Sequence, residues 1–318
     1  VIIALWSNIE RFCNMTIKNS LPSCSYYEQQ LHTLTRKYGL LILCQENAHL
    51  ILRRISVDRL WQYGSELLDP ENRTVFLEGV YIEHLYQIFL FDCRLRSITR
   101  DALEMVELQM KSGISALLTE KYGPFGYLNS NNFAAPSANQ TVSRHSSIIH
   151  RCSQDIVHHY DKSHRTHSSF IQPVPFSIAV EYLSFGTLNE LYKIMHKQDR
   201  KDLADRFGYK SEYIGSWLSA LAALRNMCCH HTTLFNRPLK KAPKLLKEDK
   251  TASARYPGKL FSAFLIMKRL LETANQPFWV DICQRLDEAF AQNESLIHPD
   301  CAGFPEDWMG YLSADPFL

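Results

Sequence analysis

A chain of 318 residues with 46% hydrophobic side chains can bury one large core or two modest ones. Its 35 basic and 33 acidic residues leave a formal charge of +2, so composition does not by itself mark a nucleic-acid binder. Aromatics at 12% favour a densely packed interior over disorder, and no run reaches the roughly 18 apolar residues of a membrane span.

The first six residues are apolar, but they are too few for a signal peptide and lack its basic start. Met15 is a candidate native start, and residues 1–25 are expected to be an N-terminal extension. Residues 26–318 are expected to form a single all-α domain, because the chain carries only 12 Gly and 13 Pro and shows no alternating strands and no repeat. Leu31, Leu34 and Tyr38 predict a helix over 26–38, and Ala48, Leu52 and Ile55 a second over 46–55. Asp69-Pro70-Glu71-Asn72 predicts a turn.

A long helical stretch is expected over 82–122, with Ile82, Leu85, Tyr86 and Phe89 on one stripe. Gly113 marks either a close helix contact or a division into two helices. A surface loop is expected near 129–147, then a helix over 147–160. Residues 176–196 should be helical with a break near Ser184-Phe185-Gly186-Thr187, and residues 201–207 form a short helix. Two further amphipathic helices are expected over 259–274 and 281–291.

The clearest helix runs over 211–231, with Ile214, Trp217, Leu218, Leu221, Leu224 and Cys228 on one stripe. It ends in Arg225-Asn226-Met227-Cys228-Cys229-His230-His231. A guanidinium holds phosphate through a planar fork of donors, and imidazoles move protons near neutral pH. At 100° per residue Arg225 falls on the apolar stripe, whereas Asn226 and His230 share another face and His231 lies off both. Arg225 and His230 therefore meet only if the helix unwinds near His230 or a second chain contributes. The plainer reading is a core ion pair from Arg225 to Glu107 or Glu181, with the two His capping carbonyls.

Nine Cys without a C-x-x-C spacing argue against disulfides or a zinc finger. Cys228-Cys229-His230-His231 cannot face one ion, since adjacent helical residues point in different directions. Neither metal nor cofactor is expected, and the thiols read as reduced in a cytoplasmic protein. Downstream, Arg237, Lys240, Lys241, Lys244, Lys247 and Lys250 place six basic residues within fourteen positions, a run that attracts a phosphate backbone.

Residues 224–237, from Leu224-Arg225-Asn226 through His230-His231 to Asn236-Arg237, resemble the signature of the Abi-like (AbiD/AbiF) abortive-infection proteins of bacteria. Phe91-Asp92-Cys93-Arg94-Leu95-Arg96, Lys121-Tyr122-Gly123-Pro124-Phe125, the block from Glu181 to Leu188, and Gly303-Phe304-Pro305-Glu306-Asp307-Trp308 resemble other family blocks in the same order. The resemblance covers about residue 26 to the end.

It implies a HEPN-type helical bundle and a metal-independent endoribonuclease active in phage defence, associated with a structured noncoding RNA. By position, Arg225, Asn226 and His230 fit R-N-x-x-x-H, and His231 is the family's second His. Arg94, Arg96, Asn236, Arg237, Lys240, Lys241 and Lys244 are the expected RNA contacts. A homodimer with a composite site is expected, since only one R-N-x-x-x-H is present. Cys93 and Thr233 stand where the family pattern has basic residues, which removes any phosphate contact made there. The other readings are a non-catalytic holder of a cognate small RNA and a dimerisation module.

Overall fold

Forty-one residues without a proline, apolar along one stripe, form the spine of the molecule. In the computed structural model, which describes residues 25–134, 144–163, 174–271 and 275–313, this spine is one unbroken helix, Ile82–Tyr122. Gly123 ends it at φ 77°. Gly113 does not divide it. A Cβ there would stand 3.3 Å from Leu203 and Phe207, so this glycine serves close packing against a neighbouring helix.

Three helices precede the spine: α1 (Ser25–Tyr38), α2 (Gln45–Arg54) and α3 (Val57–Trp61), so that Ile82–Tyr122 is α4. Leu31, Leu34, Ala48, Ile51, Leu52, Leu60 and Phe76 pack with Ile82, Leu85 and Tyr86 of α4 into a first core. The buried Glu83 carboxylate accepts the Leu43 and Cys44 amides at 3.4 and 3.3 Å, tying the start of α2 to the start of α4. Burial pushes the Glu83 carboxyl above its ordinary range.

The larger core uses the rest of α4, from Ile88 to Leu118. Around it lie α5 (Arg144–Ser163), α6 (Phe176–Ala179), α7 (Phe185–Ile194), α8 (Lys197–Arg206), α9 (Ser211–Cys229), α10 (Lys247–Ala252), α11 (Leu260–Leu271), α12 (Gln276–Ala291) and α13 (Trp308–Leu312). The described residues hold helices and two isolated bridges, Leu41 with Tyr81 and Leu68 with Phe76, and no sheet. The fold is all-α, as expected. No described helix is long and apolar enough to cross a membrane.

The differences from expectation have local causes. Helices α3, α10 and α13 have five, six and five residues, too short to display a period. Helix α12 starts five residues early because Pro277 sits at its first turn, where proline is tolerated. Helix α5 starts at Arg144, inside the expected loop. Residues 1–24, including Met15, and residues 135–143 of that loop lie outside the described residues.

Several of the motif blocks are fasteners. Lys121 pairs with Asp199 at 2.7 Å and with Asp202, and Tyr122 donates to Asp199 at 2.9 Å. Ser184 caps α7 by accepting the Thr187 amide at 3.2 Å, which explains the helix break there. Gly303 takes φ 86°, and a Cβ on it would fall 2.5 Å from Lys259 Cβ, so no other residue fits. Phe304, beside it, is fully buried among Phe261, Phe264, Phe290 and Trp308.

Candidate active site

Helix α9 buries Ile214, Trp217, Leu218, Leu221, Leu224 and Cys228, the whole predicted stripe, against α4, α7 and α8. It stops at Cys229. His230 is its C-cap at φ −89°, ψ 15°, and His231 is left-handed at φ 53°. The His231 amide donates to Cys228 O at 3.2 Å and the Thr232 amide to Met227 O at 2.8 Å. These two bonds are the Schellman closure of a helix end, with histidine where glycine usually stands. A residue with a Cβ costs about 1–2 kcal/mol in that conformation, so neighbouring contacts must hold it.

The His230 amide still donates to Asn226 O at 3.0 Å, so His230 keeps its helical place beside Asn226, and the chain turns away only at the left-handed His231. Arg225 is half-buried, while Asn226, His230 and His231 are exposed. None of the four side chains has an ion pair or hydrogen bond among the described residues. Glu107 instead pairs with Lys111 at 3.1 Å, and Lys111 also donates to the Glu181 backbone carbonyl at 3.0 Å. The core ion pair from Arg225 to either acid is therefore absent.

Cys228 faces the core, where burial pushes its thiol up to about 12, and Cys229 faces solvent. A soluble maleimide at neutral pH is expected to label Cys229 and spare Cys228, because the thiolate is the reactive form and access is required. Peptide mass spectrometry distinguishes the two. Equal labelling of both thiols would contradict this packing.

Behind the helix end stands Asp92 of α4, with 0% exposure. It lies seven residues after Leu85 and three before Leu95, on the core stripe, where an unpaired carboxylate would be very costly. Its Oδ1 accepts the Leu234 and Phe235 amides at 2.9 and 2.8 Å. Its Oδ2 accepts the Tyr63 hydroxyl at 2.8 Å and pairs with the buried Arg96 guanidinium. Burial, and then the charge of Asp92, push the Tyr63 phenol above its ordinary value, which keeps it a donor. A second hold comes from Arg59 of α3, whose guanidinium donates to the His231 carbonyl.

The expected RNA contacts divide. Arg96 is buried on Asp92 and its other amino group reaches Cys93 Sγ at 3.0 Å, so it is a structural group and not a phosphate contact. Arg94 is held by Glu288 at 3.1 Å and by Gln292. Asn236, left-handed at φ 52°, donates to Glu66 and accepts from Lys259 at 3.2 Å, which uses both ends of its amide internally. Arg237, Lys240 and Lys241 are exposed. Lys244 is exposed but pairs with Glu212 at 3.3 Å, and its backbone is pinned by Ser216 at 2.8 Å and Trp217 at 2.7 Å. Thr233 is buried.

Sequence reasoning quoted Asp92 only as part of a block. Its acid on a core stripe was the signal that could have singled it out. Arg59 gives no such signal.

A family model described as "Abi-like protein" matches residues 50–236, more than half of the chain. That span contains Arg59, Tyr63, Asp92 and Arg96 together with the whole of the Arg225 to His231 segment, and it stops short of Lys240, Lys241 and Lys244. No curated protein and no solved structure matches the chain.

Proposed function

The chain belongs to the Abi-like protein family, and from that premise we propose that it is an abortive-infection endoribonuclease of the HEPN type, cleaving RNA without a metal ion. One observation carries the reading: a half-buried guanidinium, Arg225, stands without an acid partner among the described residues, in the same helix end as two exposed imidazoles and an exposed amide. An unpaired arginine in that position is costly to the fold and suited to an anionic ligand.

In the proposed reaction the RNA 2′-hydroxyl attacks the adjacent phosphorus. The 2′-O–P bond forms, the P–O5′ bond breaks, and the 5′-oxygen leaves with a proton. His230 serves as general base or acid, Arg225 stabilises the charge on the phosphorane, and Asn226 orients one of them. A second copy bringing its own α9 end supplies the second imidazole, in a cytoplasmic homodimer that also binds a structured noncoding RNA. Arg237, Lys240 and Lys241 hold flanking phosphates through a salt-sensitive attraction.

Incubating the purified protein with a labelled single-stranded RNA of mixed sequence in EDTA tests this. Arg225→Ala and His230→Ala are each expected to slow cleavage by about 10²-fold or more. Variants that cleave as fast as the parent would remove the assigned mechanism, and activity lost in EDTA would indicate a metal enzyme. RNA that co-purifies while none is cleaved would favour the alternative of a non-catalytic RNA holder, for which the exposed Lys240 and Lys241 suffice.

A further inference from the structure

Neither imidazole at the end of α9 has a side-chain hydrogen bond among the described residues. Metal-binding and catalytic histidines are usually aimed by a partner on the second ring nitrogen. Here the backbone has to do the aiming. The chain from His230 to Phe235 is gripped at two places. Arg59 reaches the His231 carbonyl from α3, and the fully buried Asp92 takes the Leu234 and Phe235 amides at 2.9 and 2.8 Å. Asp92 is itself fixed by Tyr63 at 2.8 Å and by Arg96. The first grip is on the left-handed residue itself, His231 at φ 53°.

We propose that Arg59 and Asp92 are positioning residues for the imidazoles of His230 and His231, acting through the backbone of the helix exit and touching no substrate. The kinetic part of this inference rests on the ribonuclease reading, whereas the structural part does not. Arg59 is the more telling of the two. It is half-buried on a five-residue helix, and among the described residues its guanidinium hydrogen-bonds the helix exit at one carbonyl. Without that bond, the left-handed conformation of His231 loses its hydrogen bond to α3, and the closing turn is free to exchange with other conformers. A displacement of about 1 Å at a reacting group can cost about 10²-fold in rate.

Arg59→Gln, Arg59→Lys and the parent are compared by thermal unfolding, by imidazole proton NMR, and by cleavage of labelled single-stranded RNA. In Arg59→Gln the ring resonances of His230 and His231 are expected to move or broaden, while those of the exposed His32 on α1 stay in place and the unfolding midpoint changes little. Its kcat is expected to fall about tenfold to a hundredfold with KM within about twofold. Arg59→Lys, which keeps one charged donor, is expected to recover part of the kcat.

Unmoved His230 and His231 resonances in Arg59→Gln, or a kcat equal to the parent's, would overturn the proposal. If the parent itself cleaves no RNA, the ribonuclease reading fails and the NMR comparison alone decides the positioning role. Asp92→Asn serves as the second variant: it is expected to shift the same two resonances, and a folded Asp92→Asn protein with both unchanged would count against the proposal.

Discussion

Replacing Asp92 with alanine is expected to destabilise the fold by about 3–5 kcal/mol, the cost of removing one partner from a buried ion pair. The carboxylate has 0% exposure and satisfies four groups at once: the Leu234 and Phe235 amides, the Tyr63 hydroxyl and the Arg96 guanidinium. All four lose their acceptor together, and Arg96, 5% exposed, becomes a buried cation without a counterion. Denaturant unfolding measures the effect, and amide exchange at Leu234 and Phe235 localises it. A loss below about 1 kcal/mol would show that water or another acid takes over the site. A double change of Asp92→Leu with Arg96→Met is expected to cost less than Asp92→Ala, since no unpaired charge is left behind. The helix exit would still be loosened, so recovery of stability without recovery of amide protection separates the two roles of this carboxylate.

Phe304→Ala is expected to cost a similar amount, about 3–5 kcal/mol, for a different reason. The ring has 0% exposure and lies 5.1 Å from Phe261, 5.6 Å from Phe264, 5.2 Å from Phe290 and 5.4 Å from Trp308, centroid to centroid. It joins α11, α12 and α13 in one aromatic cluster, and its truncation leaves a cavity that four rings on three helices cannot fill without moving. The left-handed Gly303 fixes the approach of the ring, so the backbone has little freedom to collapse onto the void. Thermal or denaturant unfolding of the variant checks this, and a change under about 1 kcal/mol would mean that the cluster repacks.

The long helices were legible because their periods are long. Ile82–Tyr122 and Ser211–Cys229 each repeat an apolar stripe over several turns, and burial follows the stripe residue by residue. Helix α3 was not legible: five residues carry no period, and its start shows only as Ser56 accepting the Arg59 amide at 3.3 Å. The same division applies to the site. Arg225, Asn226, His230 and His231 stand in one short motif that chemistry alone picks out. Their supports come from residues 59, 63, 92 and 96, more than a hundred positions away, and spacing within a motif says nothing about such partners. Projection at 100° per residue applies as far as His230, whose amide still donates to Asn226 O at 3.0 Å, and not to the left-handed His231. The internal partners of Arg96 and Asn236 were hidden for a related reason. A basic or amide side chain in a motif looks like a ligand contact until its internal acid or carbonyl is seen, here Asp92 for the one, and Glu66 with Lys259 for the other.

The bonds from Asp92 to Leu234 and Phe235 join residues 142 and 143 positions apart. At roughly 5–20 residues per second, a ribosome delivers Asp92 about 7–28 s before the amides it will hold. During synthesis α4 can form on local contacts alone, but the exit of α9 cannot be fastened until Phe235 has been made. A cell producing this protein therefore carries nascent chains whose Arg-His segment is either still unmade or not yet held. Completion of the clamp is a late, long-range event, of the kind that limits folding rate more than stability.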